Sequence, residues 1–313
     1  MMTVLTFGET MALTRAADTG PLAHTSTLHL GIGGAETNFA IALRRLGVDV
    51  AWVGRVGQDS LGDLVERELR AEGITADVIR DPDAPTGLMV KERRTATATR
   101  VWYYRAGSAG SRLTMSDIAD HRLESASLLH VTGITPALSD SARKTTLYCA
   151  ERARALGIPV SFDLNYRRAL WSPEEAGPVF RELIALSDIV FAGEDEAAIA
   201  VGDGDPAELV ARVRDLGPRE SILKLGDQGC LAMVDGETYS LPAVPVNVVD
   251  SVGAGDGFVA GYIADRLAGE SPGDRLRTAV TVGAFACTVS GDWEGMPRRD
   301  ELGLLTTAEP VTR

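Results

Sequence analysis

Short apolar runs alternate with amphipathic segments along most of this chain. Runs at residues 4–7, 51–56, 127–132, 159–162, 188–191 and 221–225 predict strands, and segments 37–46, 62–71, 142–156 and 178–186 predict helices. Such alternation predicts βαβ units around a mostly parallel sheet, hence an α/β fold. Gly47, Gly73 and Gly157 each follow a helical pattern as C-terminal stops.

Two regions break this rhythm. Residues 12–30 mix Thr, Ser, Leu and His with little helical character. Residues 86–105 are rich in Thr, Val, Tyr and Arg and predict strands at 87–91 and 98–104. Together they predict a small β-lid over one edge of the main sheet. A further hairpin is expected over 229–241, turning at Asp235-Gly236. No repeat, low-complexity tract or long linker interrupts the sequence. The expectation is therefore one domain over residues 1–313, with a lid built from about 12–30 and 86–105.

Composition narrows the function. The 313 residues are 45% apolar, enough for a full core, and the net charge is −13. Such a balance argues against a nucleic-acid partner, which would need a basic face. It leaves room for an anionic substrate held by a few local arginines. Cys149, Cys230 and Cys287 lie far apart, odd in number and without a Cys-x-x-Cys, and are expected as reduced thiols. The N-terminus lacks a basic segment before an apolar core, and no apolar run reaches the ~18 residues of a membrane span. No membrane partner and a cytoplasmic location are expected.

The chemistry concentrates at Asp250-Ser251-Val252-Gly253-Ala254-Gly255-Asp256-Gly257, read as the turn from an apolar strand at 246–249 into a helix over 258–267. Gly253, Ala254 and Gly255 let a ligand approach the backbone. Amides at a helix start favour an anion. Asp256 would repel a phosphate, which makes sense if it takes a proton from a hydroxyl as the phosphate arrives. The alternative is a tight turn with Asp256 as a helix N-terminal charge. Residues 31–38 place Gly33 and Gly34 beside a helix start with Asn38 one turn in. This suits a sugar ring approached by backbone, or equally a plain cap and turn.

These two segments carry a resemblance to the PfkB, or ribokinase-like, family of carbohydrate kinases. The N-terminal signature runs from Gly33-Gly34 through Asn38, Ala40, Gly47 and Gly57, and the C-terminal one from Asp250 to Gly261. The resemblance covers essentially the whole chain. It implies a three-layer α/β/α core with a β-sheet lid, ATP as donor, Mg²⁺, Asp256 as catalytic base, and an anion hole at the amides of Gly253, Ala254, Gly255 and Asp256. It also places Lys224, Gly226 and Gly229, in the turn after the strand at 221–225, beside the nucleotide; the glycines there equally suit a plain turn.

Within the family, residues 103–109, 162–171 and 291–297 are most similar to the 2-keto-3-deoxygluconate kinases. That similarity implies contacts to a sugar acid from Gly34, Tyr103, Arg105, Arg167 and Asp292, with Asn165 and Arg167 bordering the nucleotide phosphates. Arginine gives bidentate, always-charged recognition of a carboxylate. Arg167 follows a core strand, at the carboxyl end where α/β sheets bind ligands. Tyr103 and Tyr104 alternate along a strand, so only one can face a ligand.

The sequence departs from the family twice. Gly193 stands where many relatives carry the Asn of Asn-x-x-Glu, leaving Glu196 to reach Mg²⁺ through water. Met89 stands where sugar-acid kinases often carry an aromatic. His24 and His29 fall in the lid segment, where they touch substrate or simply face solvent. The expected partners are ATP and a small sugar acid, with a homo-oligomer formed through the lid's free edge. The alternatives are a neutral-sugar kinase of fructokinase or ribokinase type and a catalytically silent sugar sensor.

Overall fold

A computed structural model describes residues 2–95 and 98–305. Positions 96 and 97 of the expected lid segment, and both extremes of the expected 1–313 domain, lie outside the described residues. The strands are β1 (Thr3–Phe7), β2 (Met11–Ala16), β3 (Leu28–Gly33), β4 (Asp49–Gly57), β5 (Thr75–Asp81), β6 (Leu88–Arg93) and β7 (Thr99–Tyr104). They continue as β8 (Leu128–Thr132), β9 (Val160–Asp163), β10 (Ile189–Gly193), β11 (Glu220–Lys224), β12 (Cys230–Val234) and β13 (Glu237–Leu241). The helices are α1 (Ala35–Arg45), α2 (Ser60–Ala71), α3 (Asp120–Glu124), α4 (Thr135–Leu138) and α5 (Asp140–Ala155). After them come α6 (Pro173–Leu186), α7 (Glu194–Val201), α8 (Pro206–Asp215), α9 (Ala254–Ala268) and α10 (Pro272–Ala286).

The main sheet runs β13-β12-β11-β10-β9-β8-β1-β4-β5. It is parallel from β11 to β5, and only the β12–β13 hairpin at one edge is antiparallel. Neighbouring side chains on a strand point to opposite faces, so each strand feeds two cores. Val4, Trp52, Ile189 and Phe191 pack against α1, α2, α9 and α10, while Leu5, Val53 and Val190 pack against α5, α6 and α8. The result is the expected three-layer α/β/α arrangement. The hairpin turns at Asp235 (φ 48°) and Gly236 (φ 90°), two left-handed residues in succession, as a two-residue turn between right-twisted strands requires.

The lid is a separate sheet in the order β3-β2-β6-β7. Its own small core is Met11, Leu13 and Met89. The chain enters it from the carboxyl end of β1 through Gly8, Glu9 and Thr10, so the lid overhangs the edge where α/β sheets bind ligands.

Three sequence expectations are corrected. Residues 246–249 form no strand: Val249 donates its amide to the Cys287 carbonyl at 2.8 Å, and Val246 and Val248 line a cavity instead of joining a ladder. Helix α9 begins at Ala254, directly after Gly253, and not at 258. Helix α6 begins at Pro173, not at 178: the Ser172 hydroxyl accepts from the Glu175 amide and the Glu175 carboxylate accepts from the Ser172 amide. This reciprocal cap sets the start, and Pro178 sits inside the helix.

Candidate active site

Gly253 has φ 81°, and a Cβ there would lie 1.8 Å from the Asp292 carbonyl oxygen. No side chain fits, and the turn it makes delivers the chain into α9. Among the described residues the amides of Gly253, Gly255 and Asp256 carry no hydrogen bond, and the Ala254 amide has only a long one, 3.3 Å, to Ser251. Free amides at the N-terminus of a fifteen-residue helix suit an anion.

Asp256 stands in the first turn of that helix, buried. Its two carboxylate oxygens accept from Asn38 Nδ2 at 2.8 Å and Asn165 Nδ2 at 3.2 Å. Asn165 reaches this position from the end of β9 in a left-handed conformation, φ 39°, which asparagine tolerates better than most residues. Burial pushes the Asp256 carboxyl up to about 7; the Asn38 bond opposes this, the Asp163 charge adds to it, and Arg167 and Lys224 pull it back. A carboxylate poised near neutrality suits a general base. The rate of any reaction that needs this base should therefore rise with pH through about 7, as the carboxyl loses its proton. The pH profile of kcat/KM checks this, and a profile flat from pH 5.5 to 8 would contradict it.

Around Asp256 lies a small cleft lined by Glu9, Gly34, Asn38, Met89, Tyr103, Arg105, Arg167, Gly253 and Asp292, among others. The structure thus gathers, from the lid and both halves of the chain, nearly every residue expected to meet a sugar. Tyr103 faces the cleft and Tyr104 is exposed on the other side of β7. Asn38 Oδ1 is buried without a partner, an acceptor available to a ligand hydroxyl. Gly33 lies behind the lining, where a Cβ would strike Met89 and Asp292. His24 and His29 do not reach the cleft: both are exposed, and His29 lines a separate hollow beside Arg15.

The two arginines differ. Arg167 is exposed into the cleft and forms no ion pair among the described residues. Arg105 lies over the Tyr103 ring and donates from Nε to Glu9 at 2.7 Å. Glu9 is buried and also accepts from the Ser108 hydroxyl. Of the two arginines expected to contact a sugar acid, Arg167 is thus without an ion pair among the described residues and Arg105 is already paired with a buried carboxylate. Sequence reading missed Glu9; its position just past the carboxyl end of β1 was the available signal.

Next to the cleft, on the other side of Gly255, opens a larger cavity of about 570 Å³, walled by Val244, Val246, Val248, Phe258 and Ala284. Lys224, Gly226, Gly229 and Gly255 line it as expected. The Lys224 ammonium donates to Asp163 at 2.6 Å and lies 3.5 Å from where a Gly255 Cβ would be. Burial alone would lower its pKa, but Asp163 and Glu196 reverse that and keep it charged. An apolar slot with one ammonium and a helix N-terminus at its mouth suits a flat apolar ring with an anionic tail. Asn165 does not line this cavity; it bonds Asp256 instead.

Glu196 accepts from the amides of Gly193, at 2.7 Å, and Tyr166, at 2.9 Å. Glu194 and Asp195 stand in the acidic first turn of α7. Among the described residues no group of three or more His, Cys, Asp or Glu is placed to hold a metal ion. Cys149 and Cys230 are buried, and Cys287 is half-buried on the large cavity.

Comparison with known proteins agrees with this geometry. The family model described as "pfkB family carbohydrate kinase" matches residues 1–299. A 2-dehydro-3-deoxygluconokinase of Bacillus subtilis is 36% identical over 97% of this chain and 95% of its own length. One from Thermoproteus tenax is 34% identical over 95% and 92%. An E. coli chain crystallised in complex with ATP and Mg²⁺ superposes with a TM-score of 0.91 at 25% identity, over 98% of this chain and 99% of that one.

Proposed function

The chain belongs to the pfkB family of carbohydrate kinases, and we propose that within it the chain transfers the γ-phosphate of ATP to a hydroxyl of a sugar acid, 2-keto-3-deoxygluconate. The observation that carries this reading is the Arg167 guanidinium, without an ion pair among the described residues, facing the same cleft as the buried Asp256. A sugar acid whose carboxylate sits on Arg167, steadied by the outer edge of Arg105, turns its far hydroxyl toward Asp256. Asp256 takes the proton as that hydroxyl attacks, and the Gly253, Ala254, Gly255 and Asp256 amides receive the transferring phosphoryl group. The adenine fits the valine-walled cavity, with Lys224 beside the phosphates. Lid closure over the cleft keeps out water, which would otherwise accept the phosphoryl group.

Mg²⁺ fits this arrangement as an ion carried by the phosphates, with Glu196 reaching it through water, since both carboxylate oxygens of Glu196 already serve backbone amides. When bound, it neutralises charge on the phosphates. The lid leaves Leu28, Leu30, Trp102 and Tyr104 exposed on or beside its edge strands β3 and β7, and a second copy of this chain is the partner proposed there. No helix among the described residues is long and apolar enough to cross a membrane; a cytoplasmic place belongs to the same proposal.

One observation favours the neutral-sugar alternative: Glu9 already neutralises Arg105. A panel of sugars with ATP, read by ADP release, separates the two. The sugar-acid reading expects kcat/KM for 2-keto-3-deoxygluconate at least tenfold above that for fructose or ribose. The opposite order would overturn it.

A further inference from the structure

Lys91 lies on lid strand β6, yet its ammonium is buried between two carboxylates of the body, 2.9 Å from Asp250 Oδ2 and 2.5 Å from Asp292 Oδ1. The three side chains are only 4%, 8% and 4% exposed. Both acids shape the backbone that ends in the anion site. Asp250 Oδ1 accepts from the Val252 amide at 3.1 Å, folding the turn, and Oδ2 also faces the Gly291 amide at 3.4 Å. Asp292 offers its main-chain carbonyl as the surface against which Gly253 packs. Two residues along the same strand, Met89 lines the substrate cleft. One side chain of the lid thus grips both segments that fix Gly253.

We propose that Lys91 is a positioning residue for phosphoryl transfer, coupling the seating of the lid to the assembly of the anion site. The proposal rests on the reading that the amides of residues 253–256 receive the phosphoryl group. With the ammonium in place, Asp250 and Asp292, two carboxylates drawn to one cation, are held together and the turn between Asp250 and Gly253 is fixed. Without it they repel, and the amides lose their common focus. Burial alone would push the Lys91 pKa down, but the two carboxylates reverse this, so the cation persists through the working pH range. Lys91 lines neither the substrate cleft nor the large cavity, so it orients the backbone without binding either substrate directly.

The test is Lys91→Ala, assayed with ATP and 2-keto-3-deoxygluconate beside the wild type. The coupling role expects kcat to fall at least 50-fold, with both KM values within about fivefold. It also expects propylammonium or methylammonium to restore kcat saturably, because a small ammonium refills the vacated space and donates to both carboxylates. Tetramethylammonium at equal ionic strength has no N–H and should restore nothing, and the wild type should respond to none of the three. Should the alanine variant fail to fold, Lys91→Met, of similar length without charge, is read by the same division between kcat and KM. A variant with kcat within threefold of wild type would overturn the proposal. So would a loss that the primary ammonium ions do not restore, or that all three cations restore equally. A wild type inactive on sugar acids would instead count against the proposed substrate, which keeps the two failures distinct.

Discussion

Asp256→Asn is expected to lower kcat by about 10²- to 10⁴-fold, the usual contribution of a positioned general base, while the protein folds as before. The substitution keeps the shape of the side chain and removes only its basicity. Asn38 and Asn165 both donate to Asp256, and an amide at position 256 can accept from one of them but not both. That mismatch costs about 1–3 kcal/mol for a buried donor left without an acceptor. A second effect runs the other way. The folded protein holds the Asp256 proton more tightly than the unfolded chain does, because burial raises its pKa to about 7. Ionising it therefore costs stability progressively as pH rises from the unfolded value toward 7, and the cost stays in full above that. Asp256→Asn removes this cost, so its melting temperature relative to wild type should improve between pH 5 and pH 8. Turnover within threefold of wild type would remove Asp256 from the chemistry. A buried carboxyl with a raised pKa beside free helix amides is the kind of local inconsistency that function maintains.

Arg167→Ala is expected to lower kcat/KM for sugar acids by about 10- to 100-fold, the loss of charge-assisted hydrogen bonds worth about 1.5–3 kcal/mol at tenfold per 1.4 kcal/mol. Neutral sugars should be used as well as before at a pH high enough to ionise Asp256 in both proteins. The selectivity is the diagnostic part, since a residue that merely supported the fold would affect both classes. Arg167 also holds the Asp256 pKa down, so the variant's pH profile should shift upward. Arg105→Ala should behave differently. Glu9 would remain buried with only Ser108 to bond, and uncovering a buried charge typically costs about 3–5 kcal/mol. Arg105→Ala should therefore lower the melting temperature along with activity, whereas Arg167→Ala should leave it unchanged. Equal loss on acidic and neutral sugars in Arg167→Ala would remove the carboxylate clamp.

What could be read from the sequence, and what could not, follows from where each signal resides. The central parallel strands are buried and appear as apolar runs, unlike the edge strand β5, and most of the helices between them end at glycines with positive φ. Both signals are local. Gly253, where no side chain fits, is likewise announced by its own residue type. The missed features are non-local. Glu9 and Lys91 are single charged residues on or beside strands, and nothing adjacent in sequence shows that one pairs with Arg105 and the other with Asp250 and Asp292, up to 201 positions away. The run at 246–249 has the composition of a strand, but strand formation needs a partner edge, and those residues wall a cavity instead. At α6 the cap at Ser172 outweighs the breaker at Pro178.

The central claim is that one molecule bridges Arg167 and Asp256. It is tested most directly by a crystal structure with 2-keto-3-deoxygluconate and a non-hydrolysable ATP analogue. The account predicts the sugar carboxylate paired with Arg167, one hydroxyl oxygen within about 3 Å of the Asp256 carboxylate, and the terminal phosphate facing the amides of Gly253, Gly255 and Asp256. A sugar bound with its carboxylate toward solvent, or with no hydroxyl at Asp256, would contradict it.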